Sequence, residues 1–483
     1  MGITSYVFVL VYFPLMLLGW SGSNKLKKYK LADIILILAS IIFIGSYDFR
    51  FVCTMLATVC VNYMFAKYIN IIKNVGIRKI VVALGIIANL GVLFCLKYCN
   101  WIRTLIDSNA LLWKLFVPIG ISFYTLEQIC FLVDSYKNGE MNYTFAEYIL
   151  FSTYFPVVVS GPIIRHDNFI MQVREKDCRS VSHERISEGL ISFCLGMGKK
   201  VIVASYLGKI AAMGYDDVGS VGCLTMILSV VAYTLQLYFD FSGYCDIVEG
   251  ISLMLGFVLP ANFNSPYKAL SIGEFWKRWH ITLTSFLTHY VYIPLGGNRR
   301  GKIRQYFNIF IVFLVSGFWH GASLTYILWG MMHGICMVID KIIFRIWSKI
   351  PKFVGRCMTF SMVALMWVPF RTQTIYDAYA VYWTLVFGDR TIVKEFGTNT
   401  FPMIAYLCEN YLGISGNVVV RMQNCLTILI MLSLIMSIFF MKNVREIRKV
   451  MRKSIGGAII CGIILFMALL QFQEVGTFIY EGF

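Results

Sequence analysis

The chain has 483 residues, of which 58% are hydrophobic and 14% charged. Soluble globular domains carry about 25% charged residues, so an ordinary soluble enzyme or binding module is excluded. The net charge of +17 does not point to nucleic acid, because Lys and Arg fall in short loops between apolar runs and no separate basic domain exists to carry that function. Apolar runs long enough to cross about 30 Å of hydrocarbon recur along most of the length. They lack the alternation expected of barrel strands, which are about ten residues each. Of the 14 cysteines most lie in these runs and none forms a C-x-x-C pair, so neither a zinc site nor a disulfide framework is indicated. The predicted class is an all-α polytopic membrane protein, one integral membrane domain over residues 1–483.

Residues 3–20 form the first apolar run, with no basic residue before it, so a cleavable signal peptide is not expected. Lys25, Lys27, Lys28 and Lys30 follow it and predict a cytoplasmic first loop and an extracytoplasmic N-terminus. Further runs are expected at 31–47, 51–72 and 80–99, with a second basic loop from Lys73 to Lys79. Residues 111–136 are apolar but interrupted by Pro118 and Gly120, with Glu127, Gln128 and Asp134 looking inward. Pro156 and Pro162 break the run at 145–164. Residues 165–188 read as a surface loop with a short amphipathic helix, in which His166 and His183 are expected to be solvated. Runs at 189–213 and 222–259 resume the membrane pattern.

Residues 260–304 carry Pro260, Pro266, Pro294 and the pair Gly296-Gly297, and no clean span fits them. A re-entrant or interfacial arrangement does, since irregular backbone at membrane depth persists where it is buried or lines a cavity. Beyond the apolar stretch 310–334 lie a basic loop, a span at 353–371, shorter apolar pieces over 375–415, and final spans at 425–441 and 455–472 separated by the basic residues 442–453. That last loop predicts an extracytoplasmic C-terminus. The total is about eleven transmembrane helices plus re-entrant pieces, with boundaries good to a few residues. No internal repeat of the transporter kind is present.

His320 lies inside the apolar stretch 310–334, flanked by Ser316, Gly317, Gly321 and Ser323. An imidazole at that depth is costly without a partner and marks a functional site. On one straight helix His320 and His333 would project about 140° apart, and His280 and His289 about oppositely, so only one of each pair would face a common centre. His280, in EFWKRWHITL, reads as the second candidate, whereas His289 and His333 read as structural. A neutral imidazole suits a general base that deprotonates a hydroxyl, and it equally suits a proton relay. No H-E-x-x-H, P-loop or G-x-S-x-G is present, and no serine or cysteine stands out as a covalent nucleophile. Asp240, Asp246 and Gln236 are candidates for orienting groups or cavity lining, or else for helix caps and helix–helix hydrogen bonds. Arg299 and Arg300, with Lys302 and Arg304 after IPLGGN, read as a solvated loop or as a contact for an anionic donor or an acidic carrier protein.

Residues 263–299 (FNSPYKALSIGEFWKRWHITLTSFLTHYVYIPLGGNR) and 316–334 (SGFWHGASLTYILWGMMHG) resemble the membrane-bound O-acyltransferases, most closely the alginate O-acetyltransferase branch. Residues 118–137, 189–204 and 238–257 look like the same branch, and the likeness is strongest over 110–340. The resemblance implies a helical bundle around a central tunnel, with the family's catalytic histidine at His320, its second signature histidine at His280, and Trp319 in support. It implies transfer of an acyl group, acetyl first of all, from a cytoplasmic thioester to a hydroxyl of an extracellular or cell-wall polysaccharide. The donor would be acetyl-CoA or an acylated carrier protein, with no permanently bound cofactor. It implies an extracytoplasmic acyl-relay partner and a bacterial cytoplasmic membrane. On this expectation His320 is the base, and His280 orients the acyl carbonyl or holds the oxyanion. The alternatives are the sister branch's D-alanyl transfer to teichoic acid and, from another class, a proton-coupled transporter or flippase. A catalytically idle scaffold of a secretion complex is a third.

Overall fold

The computed structural model describes residues 1–107, 111–139, 142–176, 179, 182–347, 349–390, 402–412 and 414–472. Among these residues there are helices and no strands. The first part holds α1 (Phe13–Lys25), α2 (Tyr29–Gly45), α3 (Phe49–Ile71), α4 (Val75–Lys97), α5 (Cys99–Ile106) and α6 (Ile121–Asn138). Short helices α7 (Phe145–Thr153), α8 (Phe155–Val158) and α9 (His166–Arg174) follow. Next, α10 (His183–Met197) continues through the π-helical turn Gly198–Ala204 into α11 (Ser205–Tyr215), and α12 (Cys223–Met254) returns beside it. After the short α13 (Ile272–Trp276) and α14 (Ile281–Leu287) come α15 (Lys302–His320), α16 (Leu324–Trp347), α17 (Lys352–Met366), α18 (Val368–Arg371) and α19 (Ile375–Phe387). The last helices are α20 (Pro402–Tyr411), α21 (Gly416–Phe440), α22 (Val444–Met451) and α23 (Ile455–Leu470). Part of the apolar stretch expected at 375–415, and the C-terminus, lie outside the described residues.

Seven stretches among the described residues are long and apolar enough to cross a membrane: α3, α4, α10–α11, α12, α16, α17–α18 and α21. The larger sequence count of about eleven also took in helices that are shorter or more polar. Those are α1, α2 and α23, of 13, 17 and 16 residues, and α6, which carries Glu127, Asp134 and Lys137. Burial separates centre from periphery. Within its most apolar window α12 is 72% buried, whereas α4 is 22% buried and turns Leu84, Ile87 and Leu90 outward. Apolar side chains in that position face lipid instead of a core.

Small residues bring the central helices together, as expected where lipid competes for every apolar contact. A Cβ on Gly196 of α10 would lie 2.7 Å from the Gly243 carbonyl oxygen of α12. The same holds one heptad away, where a Cβ on Gly250 would lie 2.5 Å from that of Gly189. On the other side of α10 and α12, the arginines of α22 and its flank close the end of the bundle. Arg445 and Arg448 reach Glu249 at 2.9 and 2.6 Å, and Arg452 reaches Glu188 at 2.7 Å and also pairs with Glu184.

The stretch expected as one apolar segment, 310–334, is two helices. α15 ends at His320, the backbone is extended at Gly321, and α16 folds back from Leu324. The two pack backbone to backbone, because a Cβ on Gly317 would collide with the Tyr326 carbonyl and one on Gly330 with that of Phe313. Gly317→Val is therefore expected to destabilise the hairpin by at least about 1–3 kcal/mol. A thermal melt of the purified protein in detergent checks this, with a fall of several degrees expected.

Candidate active site

His320 is the last residue of α15 and is 3% exposed. Its ring meets Trp319 at 4.8 Å, Trp329 at 5.1 Å and Phe370 at 5.2 Å between centroids, each edge to face. Because the chain reverses after Gly321, Trp329 and His333 of α16 come back alongside. His333 lies 5.0 Å from Trp329 and accepts a hydrogen bond from Trp276 Nε1 at 3.2 Å. The expectation that His320 and His333 diverge by about 140° is thereby corrected: it assumed one continuous helix. His333 shares the aromatic cluster, and its bond to Trp276 agrees with the structural part expected of it.

A helix that ends inside a protein leaves carbonyls without partners. At the end of α15 they are supplied from α4 and the residue after it. Lys97 Nζ donates to the carbonyls of Trp319 at 3.0 Å and His320 at 3.3 Å, and Tyr98 Oη to that of Phe318 at 2.6 Å. Lys97 also donates to Ser122 Oγ at 2.9 Å, and Trp319 Nε1 donates to the Ser122 carbonyl at 3.2 Å. Neither Lys97 nor Ser122 was singled out from the sequence. The signal available for Lys97 was a lone charge closing an otherwise apolar run.

His280 comes from the irregular stretch before α14 and is 1% exposed. Its backbone is left-handed, φ 44°, a conformation that non-glycine residues hold only where the surroundings enforce it. Here the enforcement is dense. The Ile281 amide donates to the Asn262 carbonyl at 2.9 Å, Phe241 meets the imidazole edge to face at 4.9 Å, and Phe123 stacks at 6.3 Å. Trp319 contacts both histidines, 6.5 Å from His280 and 4.8 Å from His320 by ring centroids. The structure thus brings His280, Trp319 and His320 into one site.

The remaining candidates lie elsewhere. Asp240 forms an ion pair with Lys200 at 2.5 Å and Asp246 with Lys199 at 2.7 Å, so both tie α12 to the α10–α11 helix. This is the interhelical alternative, although Asp246 also lines a small polar cavity with Lys199, Asn262 and Arg445. Gln236 packs against Gly208 of α11. Arg299 and Arg300 are exposed in the turn before α15, a whole helix of about 28 Å from His320. His289 is exposed, while His183 is solvated as expected. His166 corrects its expectation: it is 1% exposed, 3.3 Å from Asp134 and 3.1 Å from the Tyr143 hydroxyl. Packing of α9 against α6 and α7 buries it, which local composition does not reveal.

Two cavities approach the histidines. One of about 570 Å³ is lined by Arg165, Gln172, His289, Tyr290, Ile281 and Thr282, and so stops one residue from His280. Another, of about 360 Å³, reaches Ser316, one helical turn before His320. Two buried histidines in contact with one indole, inside a membrane bundle and adjoining cavities, define an integral membrane protein with a buried histidine centre.

The comparisons with known proteins agree. The profile of the MBOAT, membrane-bound O-acyltransferase, family matches residues 113–376. Peptidoglycan O-acetyltransferase of Helicobacter pylori is 34% identical over 412 residues, 78% of each chain. Probable alginate O-acetylase AlgI of Pseudomonas syringae pv. tomato is 34% identical over 407 residues, 80% of this chain and 75% of that one. Teichoic acid D-alanyltransferase of Bacillus subtilis is 25% identical over 240 residues, 48% of this chain and 60% of that one. The chain belongs to the membrane-bound O-acyltransferase family and is an acyltransferase.

The structural assignment of Asp240 is testable. Lys200→Met leaves a buried carboxylate without its ammonium partner and is expected to cost about 3–5 kcal/mol. Adding Asp240→Leu removes the stranded charge, and most of the melting temperature is expected to return.

Proposed function

We propose that the protein moves an acyl group, acetyl in the first instance, from a thioester donor at the cytoplasmic face to a hydroxyl of a polysaccharide outside. The observation that carries this reading is that His320 and His280, both buried, each contact the ring of Trp319, with one cavity ending a residue from His280 and another a helical turn from His320. The two relatives of highest coverage quoted above are named for O-acetylation of peptidoglycan and alginate, which favours a polysaccharide acceptor and acetyl over D-alanyl.

His320 is the base in this reading. Its imidazole takes the proton of the acceptor hydroxyl as that oxygen attacks the thioester carbonyl. The carbon–sulfur bond then breaks, and the imidazolium returns the proton to the leaving thiolate. The thioester is already activated, so positioning and deprotonation supply most of the rate. The thioester arm of the donor, acetyl-CoA or an acidic acylated carrier protein, enters through the 570 Å³ cavity, which is lined by Arg165, itself paired with Asp167 at 3.0 Å. The exposed Arg299 and Arg300 are a further contact for it on the donor side. Where an extracytoplasmic partner protein relays the acyl group, the hydroxyl that His320 deprotonates is the partner's, and the polymer receives the group from that partner. In this reading the chain sits in a bacterial cytoplasmic membrane with both termini outside, which the basic loops between the apolar runs support.

His320→Ala is expected to abolish acetylation of cell-wall and secreted polysaccharide in cells lacking the native copy. The variant should purify with unchanged size-exclusion behaviour. Full acetylation by that variant would refute the role.

A further inference from the structure

Deepening that reading, we propose that Asn262 is a positioning residue that holds His280 in the tautomer with the proton on Nδ1. His280 then presents a bare Nε2 lone pair to the site as a proton acceptor.

The backbone N–H of Thr282 can only donate, and it points at Asn262 Oδ1 at 3.3 Å. The Thr282 hydroxyl accepts from the Ile163 amide at 3.0 Å and has its own proton free to donate to the same Asn262 oxygen, at 3.0 Å. Two donors converging on one atom of the carboxamide identify that atom as the oxygen. The amide nitrogen then faces Cys245 Sγ at 3.4 Å, an acceptor. His280 Nδ1 lies 3.1 Å from this oxygen. An oxygen that accepts everything around it can be approached by an imidazole nitrogen only through N–H, so Nδ1 carries the proton. In a neutral imidazole the other nitrogen is then unprotonated. Nε2 is buried and has no hydrogen-bond partner among the described residues, with Phe123, Phe241 and Trp319 around the ring.

This revises the role that the family resemblance suggested for His280. A lone pair repels a developing oxyanion, so the neutral ring cannot stabilise one. The role left to Nε2 is to receive a proton, and the site holds two acceptors instead of one base and one electrophile. Asn262 touches no reacting group. It acts through His280 and couples it to Thr282 at the inner end of the 570 Å³ cavity. It also lines the polar cavity with Lys199, Asp246, Glu249 and Arg445.

The test is a series at one position in the full-length protein in lipid nanodiscs, with labelled acetyl-CoA as donor probe and polymer acetylation in cells as the second readout. Asn262→Asp keeps the accepting oxygens and is expected to hold turnover within about threefold. Asn262→Leu, of similar volume but without an acceptor, is expected to lower kcat about 10–100-fold, the range that loss of a histidine's orienting partner costs. The KM for acetyl-CoA should not move. Solid-state NMR of [15N]histidine, with His280→Gln used for assignment, is expected to show a bare Nε2 in the wild type that is lost in Asn262→Leu. A proton on Nε2 of wild-type His280, or equal turnover of the Leu and Asp variants, overturns the proposal. The expected tautomer in a protein that acetylates nothing supports the proposal and refutes the acyl-transfer reading. Should the Leu variant not fold, the NMR of the wild type and the Asp variant decides.

Discussion

The structure depends on how a helix is allowed to stop inside a membrane protein. α15 ends at His320, and stopping there exposes carbonyls with no amide to meet them. Hydrocarbon supplies no donor. Lys97 and Tyr98 therefore have a task outside their own helix: an ammonium and a phenol, from the end of α4 and the residue after it, take the carbonyls of residues 318–320. Without them the break would be too costly to sit at that depth, and without the break His320 would be one more side chain along a continuous span.

The same break shapes the rest of the centre. It returns α16 against α15 at a distance that only glycine permits, and it brings Trp329 and His333 beside His320. The ring of Trp319, fixed through its Nε1 to the Ser122 carbonyl, contacts both His280 and His320. The backbone of His280 is held left-handed, so that its ring and its amide neighbours are set by the same few residues.

Much of this was legible in the chain. Hydropathy showed the helical membrane class, prolines and glycines marked residues 260–304 as broken, and polarity inside an apolar run singled out His320. The motifs around His280 and His320 pointed to the family. What escaped was tertiary. In GASL the stop and start signals are only Gly321 and Ser323, with no proline, and the long apolar run outweighed them, so His333 was set on the wrong face. Asp240 and Asp246 sit in an aromatic stretch that looked like a site, but their lysines come from another helix 40 and 47 residues away. His166 lies in a polar segment, and the packing of α9 against α6 and α7 buries it. Asn262 is one small amide in an irregular stretch, and its meaning depends on three donors that sequence does not place around it.

The arginines of α22 carry a consequence for how the chain comes to be where it is. Read along the sequence, residues 442–453 are a cluster of positive charge of the kind that sets which way a membrane chain is threaded. In the folded protein Arg445, Arg448 and Arg452 are occupied by Glu184, Glu188 and Glu249. The two duties fall at different times. While the polypeptide is being inserted, these acids are not yet assembled around the loop and the guanidinium groups act as a topological label. Once the bundle closes, they become rivets between helices, and the label is spent. The surface met by anionic lipid headgroups is correspondingly less cationic than the formal charge of the chain.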